Sequence, residues 1–203
     1  SGTDFSVSPT TTTTYYAEAQ SNCGGTSGVA AMPAETSTYS GDARGYWFVA
    51  PTSFTITGVN CLATGTTQNI ALVRFVAQPP VYSTTTNDFT TLFLTQGNPN
   101  TGVIPCSVAV NAGDIIGVLG TRDAAENNSY GPTPSTTTIA GNTVTIERLG
   151  MQYDLSTTAP QELWTESANG ISRVELTYTS GTGGSLCTSS TRTPVSVTVS
   201  PVN

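Results

Sequence analysis

Glu162 and Glu166, in the stretch PQELWTES, stand on either side of Trp164. Two carboxylates are what glycoside hydrolysis needs, one to deliver a proton and the other to act as base or nucleophile. An indole between them is a surface on which a sugar ring stacks. The same eight residues also read as an exposed polar loop, and the rest of the chain favours that second reading. There is no histidine, which removes Ser-His-Asp and Cys-His catalysis and the imidazole metal sites together. No G-x-S-x-G elbow and no P-loop is present. The sequence therefore points to binding or structure and not to turnover, and a non-enzymatic protein is expected.

A second group lies in the polar run Thr121 to Gly131. Asp123, Glu126 and Asn127 carry the hard oxygen donors that calcium takes, although their spacing is not that of an EF-hand loop. They stand as a candidate calcium site, with a solvated turn as the alternative; no other cofactor is expected. Tyr130, Asn128 and Trp164 are the candidate ligand contacts, the two aromatic rings as sugar platforms; for Trp164 core packing under a loop is the favoured alternative. Trp47, between Tyr46 and Phe48, reads as core.

Charged residues make up 9% of the chain against about 25% in ordinary soluble domains. Six arginines, no lysine and a net charge of −7 provide no basic stripe for phosphates, so nucleic acid is not an expected partner. No apolar run approaches the roughly 20 residues of a membrane span, and no leader segment is visible. Four cysteines, Cys23, Cys61, Cys106 and Cys187, contain no C-x-x-C pair. They read as two disulfides in an oxidising compartment, with three pairings open.

The elements that must position these residues are strands. Threonine and valine dominate, and β-branched side chains fit a pleated surface better than a helix. Short apolar or alternating runs recur at Tyr46 to Val49, Phe54 to Cys61, Ile70 to Val76, Phe89 to Leu94, Val110 to Leu119, Thr143 to Leu149 and Arg173 to Tyr178. Turns rich in Gly, Pro, Asn and Asp separate them, the pattern of an antiparallel β-sandwich of jelly-roll or lectin type. Thr-x-Thr occurs without a fixed period, which sets aside a threonine-ladder solenoid. Gly/Ser-rich joints near Gly24 to Gly28 and Ser180 to Ser185 flank this central block.

The two ends read together. TTYYAEA, Thr13 to Ala19, and CTSSTRTPVSVTV, Cys187 to Val199, resemble the C-terminal half of the Ig-like repeats in giant secreted Bacteroidetes adhesins of the gliding-motility type. In that family a short turn joins the two segments; here about 165 residues replace it, as a domain inserted into one hairpin would. The resemblance covers roughly 35 residues and implies an incomplete Ig-like stem (1–22 and 186–203) carrying an inserted β-sandwich (23–185). It implies that the two end strands run antiparallel, that Cys23 faces Cys187 at the base of the insert, and that Cys61 pairs with Cys106 inside it. It also implies a repeat module of a secreted cell-surface adhesin or filament, joined to neighbouring repeats, by strand complementation in one version. The alternatives are a carbohydrate-binding module that contacts surface polysaccharide and, third, a fragment of a polysaccharide-degrading enzyme.

Overall fold

The computed structural model describes residues 10–17, 20–22, 26–167, 169–181, 186–188 and 193–197. In chain order the first strands are β1 (Thr13–Ala17), β2 (Gln20–Asn22), β3 (Thr26–Ala30), β4 (Ser37–Tyr39), β5 (Arg44–Val49) and β6 (Phe54–Cys61). There follow β7 (Gln68–Phe75), β8 (Phe89–Asn98), β9 (Ile104–Val110), β10 (Ile115–Arg122), β11 (Asn128–Gly131) and β12 (Ser135–Ile139). The last are β13 (Asn142–Gly150), β14 (Trp164–Glu166), β15 (Ile171–Ser172), β16 (Val174–Ser180), β17 (Leu186–Thr188) and β18 (Thr193–Val197). Among the described residues there is no helix, and the protein is all-β.

The chain divides into two compact units, Ser1–Gly24 with Gly184–Asn203, and Gly25–Gly183. In the first, β1 pairs antiparallel with β18, Tyr15 opposite Val195, and β2 pairs antiparallel with β17, Ser21 opposite Cys187. The expected Cys23–Cys187 bridge lies outside the described residues, because Cys23 is not among them.

The second unit is an antiparallel sandwich. Its larger sheet has seven strands in the order β12-β13-β5-β10-β7-β8, with β14 added beside β13. Its smaller sheet runs β3-β16-β6-β9, and a short third sheet runs β15-β11-β4. Alternation dictates the layering. In β13, Val144 and Ile146 are buried while Thr143 and Thr145 are exposed, as period-two side chains on a one-sided strand must be. Tyr46, Phe48, Ile70, Leu72, Ile116 and Val118 of the large sheet meet Ile56, Val59, Val174 and Leu176 of the small one. Each such side chain contributes about 1.5–3 kcal/mol on leaving water. The tight turn between β9 and β10 closes through Asp114 N–H to Asn111 C=O (3.1 Å), and the chain crosses there from the small sheet to the large. Pro105 sits on edge strand β9, where a missing N–H costs no ladder bond.

The outer face of the large sheet has its own apolar layer. Trp47, Ala71, Val73, Phe75, Leu119 and Leu149 are covered there by Met151, Leu155 and Leu163 from the segment between β13 and β14, which holds no strand. Sequence periodicity did not announce this cover, because a coil segment has no period.

The Cys61–Cys106 disulfide expected from the sequence is not formed; both residues are free thiols. Register explains the difference. Ile56 pairs with Val108 and Gly58 with Pro105, so Cys106 lies beside the stretch between them, where its thiol donates to Ile56 C=O at 3.6 Å. Cys61 is three residues past Gly58. At about 3.3 Å per strand residue that offset takes the Cα atoms beyond the ~7 Å a bridge tolerates. Burial pushes the Cys61 thiol up to about 11 and also raises that of Cys106.

Candidate functional site

The polar run singled out in the sequence becomes the tip between β10 and β11. Arg122 and Asn127 exchange backbone hydrogen bonds, 2.9 and 2.8 Å, and Asp123 to Glu126 form the turn between them. Asp123 (φ 58°) and Glu126 (φ 53°) both adopt the left-handed conformation, which short polar side chains tolerate best. Asp123 is held by what it caps. Its Oδ1 accepts from the Thr66 and Thr67 amides (both 2.9 Å) and from the Thr66 and Thr67 hydroxyls (2.9 and 3.2 Å). Those amide bonds, Thr67 first, hold its carboxyl below the usual carboxylate range. Gly65 is required beside it, since a Cβ there would lie 2.5 Å from Arg122 Cβ and 2.7 Å from Asp123 Oδ2.

A polar cleft of about 360 Å³ opens at this tip, lined by Thr38, Tyr39, Ser40, Thr64, Asp123 and Asn127 among others. Its groups are hydroxyls, a carboxylate, a phenol ring and the two asparagines Asn127 and Asn128, the second a candidate contact from the sequence. That set presents both hydrogen-bond donors and acceptors.

The three residues put forward for calcium do not converge. Asp123 caps the 66–67 turn, Asn127 Oδ1 accepts from Ser40 Oγ at 2.7 Å, and the Glu126 carboxyl turns inward. Glu126 is 1% exposed; it accepts from Thr121 Oγ1 (2.6 Å) and from the Ser156 amide (2.9 Å). Burial, and then a hydrogen bond with Asp154, push it up to about 7, while the same hydrogen bond holds Asp154 down to about 2. Among the described residues no group of three or more acidic or thiol side chains is placed to hold a metal ion. Each ligand faces a different partner because the left-handed residues at both ends of the turn splay the side chains apart.

The three candidate ligand contacts are buried. Asn128 (1% exposed) donates to Asp42 C=O (3.0 Å) and Glu126 C=O (2.7 Å) and accepts from the Arg44 amide (3.2 Å). Tyr130 (7% exposed) stacks on Tyr39 with ring centroids 5.8 Å apart, and the Arg148 guanidinium covers it at 5.1 Å. Arg44 lies over Tyr39 at 5.5 Å, so two cations enclose two phenol rings. Trp164 is 1% exposed, not the open platform the polar surroundings suggested. Its Nε1 donates to Glu166 Oε1 (2.8 Å), Tyr82 packs edge-on against it at 5.4 Å, and Gly150 leaves room for its ring. What solvent meets at this place is Tyr82, 59% exposed; the two prolines before it in PPVY were the available signal.

The carboxylates flanking Trp164 are likewise tied down. Glu166 pairs with buried Arg148. Burial alone would raise Glu166, but the bonds from Trp164 and Arg148 outweigh it and leave the carboxyl below its ordinary range. Glu162 accepts from Tyr153 Oη at 2.9 Å. Trp47 is core, as expected, 5% exposed with its Nε1 donating to Thr165 Oγ1 at 2.9 Å. No protein-family model matches the chain, and neither the curated proteins nor the solved structures contain a significant match to it.

Proposed function

We propose that the chain is a non-enzymatic module of a secreted cell-surface adhesin or filament, its sandwich making the contact with a surface. The observation that supports this reading is the nesting of three antiparallel pairs. β1 pairs with β18, β2 with β17 and β3 with β16, Thr26 opposite Ser180. The sandwich thus begins and ends on neighbouring strands, and a whole domain can interrupt a hairpin while the strands outside it still pair. Among the described residues β1 and β18 each pair along one edge only. A lone two-stranded ribbon is marginal in water, so strands from a neighbouring repeat are the natural partners. The tip cleft supports the second reading, a carbohydrate-binding module, through its hydroxyl and amide lining.

Beads coated with the chain test the proposal when they are flowed over polysaccharide-coated and cell-coated surfaces. Retention well above albumin-coated beads, with no new reducing ends released into the buffer, is the expected result. Retention equal to albumin, or release of sugar, sinks it.

A further inference from the structure

The outer face of the large sheet is covered by Met151 to Leu163 over only part of its area. Beyond that cover, β5 ends at Val49, which is 50% exposed and pairs with Ile115 of β10 alone. The ladder to β13 stops at Trp47 opposite Glu147, so at Val49 the side chain stands at an open notch between β5 and β13. Register builds the surroundings. Glu147 stands directly opposite Trp47, Val49 opposite Ile115, Thr136 opposite Thr145, and Thr138 opposite Thr143. All four of these threonines are exposed. A cleft of about 270 Å³ lies here, lined by Trp47, Val49, Pro51, Thr143, Thr145 and Glu147 among others.

The polar atoms of this cleft differ from those of the tip cleft in being unspent. Glu147 is half-buried against an indole, yet no ion pair and no hydrogen bond reaches its carboxylate among the described residues. An acceptor held on an apolar floor gains most from a ligand that brings donors. Val49 and Pro51, both exposed, supply the apolar surface that the C–H face of a sugar ring needs, and the threonine hydroxyls and Glu147 supply the rim.

We propose that this cleft is a glycan-binding subsite for a neutral polysaccharide, one ring seated over Val49 and Pro51 with its hydroxyls donating to Glu147. Charge selects the class. An unpaired carboxylate in a chain of net charge −7 repels uronate and sulfated polymers. The volume suits about one ring at a time, and the threonine pairs of β12 and β13 extend the contact along the chain direction. The inference rests on the adhesion reading and names the chemistry of the surface the sandwich contacts.

Titration of the full chain with cello-, xylo- and manno-oligosaccharides, and with polygalacturonate and alginate, tests it by calorimetry and by tryptophan fluorescence. At least one neutral series should bind and perturb Trp47, and the polyuronates should not. Glu147→Ala and Val49→Ala should each weaken binding about tenfold, and Thr145→Val should weaken it less. Val76→Ser, at an exposed site outside the cleft, should leave affinity unchanged, and circular dichroism verifies that each variant is folded. Three results overturn the proposal: stronger binding of the polyuronates, neutral-sugar binding indifferent to Glu147 and Val49, or loss of binding with Thr38→Val, which moves the site to the tip cleft. If no oligosaccharide binds but coated beads are still retained, the subsite falls and the adhesion reading stands. If both fail, both fall.

Discussion

On its inner face the seven-stranded sheet meets four partner strands through aliphatic and aromatic side chains, and the backbone of both layers is satisfied by its own ladders. On its outer face it meets a coil segment that has no ladder. Burying coil leaves peptide groups to be satisfied one at a time, and the structure does so with side chains. Arg44 reaches Met151 C=O, Gln96 reaches Leu155 C=O at 2.7 Å, and Asn87 accepts from the Glu162 amide at 2.8 Å. Thr86 exchanges backbone bonds with Leu163, 3.0 and 2.9 Å. The two faces show that burying apolar area is easy by either route, while satisfying the backbone against coil demands individually placed polar residues.

The largest effect expected is at the polar end of the inner face, where Arg148 stands opposite Tyr46 on the side of Val144 and Ile146. Arg148 is 4% exposed; it pairs with Glu166, reaches Gly170 C=O and covers Tyr130. Arg148→Met removes the cation from the Glu166 carboxylate, leaving it Trp164 Nε1, and takes the guanidinium from Gly170 C=O, and should cost about 3–5 kcal/mol in urea unfolding. A loss below about 1 kcal/mol would mean that this end of the inner face does not depend on its buried guanidinium.

Matched truncations sharpen the contrast between the faces. Leu72→Ala, inner, and Leu155→Ala, outer, each remove a fully buried leucine and should cost roughly 2–5 kcal/mol by cavity formation. The inner change should lower amide-exchange protection throughout the sandwich, and the outer one chiefly from Met151 to Leu163, where opening is local. Equal, global loss in both would make the two faces one cooperative unit.

The smallest effect is the one with a sign that can be checked. Glu126, raised from 4.5 to about 7, favours the protonated form in the folded state. Its contribution is complete below the unfolded value and is lost as pH rises through about 7, by at most about 3 kcal/mol. Asp154, lowered to about 2, acts oppositely; its contribution is present above its ordinary value and lost as pH falls through about 2. Unfolding midpoints should therefore fall between pH 4.5 and 7, and Glu126→Gln should flatten that decline. A midpoint that climbs across this window in the parent chain contradicts the buried pair.

The contrast between the faces also explains what could be read from residue order. The all-β class and most inner strands follow from alternation such as Thr143-Val144-Thr145-Ile146 and from runs such as Ile70 to Val73. The antiparallel pairing of Thr13–Ala17 with Thr193–Val197 likewise matches expectation. Core packing, the favoured of the two readings of Trp164, is what the structure shows; the exposed platform was open because its polar neighbours, Glu162 and Glu166, resemble solvent-facing residues until Tyr153 and Arg148 arrive from elsewhere in the chain. The calcium reading failed for a related reason: composition names the oxygens, but the φ values of Asp123 and Glu126 decide where they point. Glu147 and Val49 carried no signal at all, since an unspent carboxylate is defined by what fails to reach it.

The nested pairing of β1 with β18, β2 with β17 and β3 with β16 has a mechanical consequence. A load applied at the start of β1 and the end of β18 acts across these ribbons as an unzipping force, opening one ladder rung after another from the outermost inward. The ribbons would lengthen the tether before the first rung of the β3–β16 ladder, Thr26 opposite Ser180 with their hydroxyls 2.8 Å apart, carried any strain. A module built this way yields slack first and keeps its globular head loaded last, as a shock absorber does for the object it suspends.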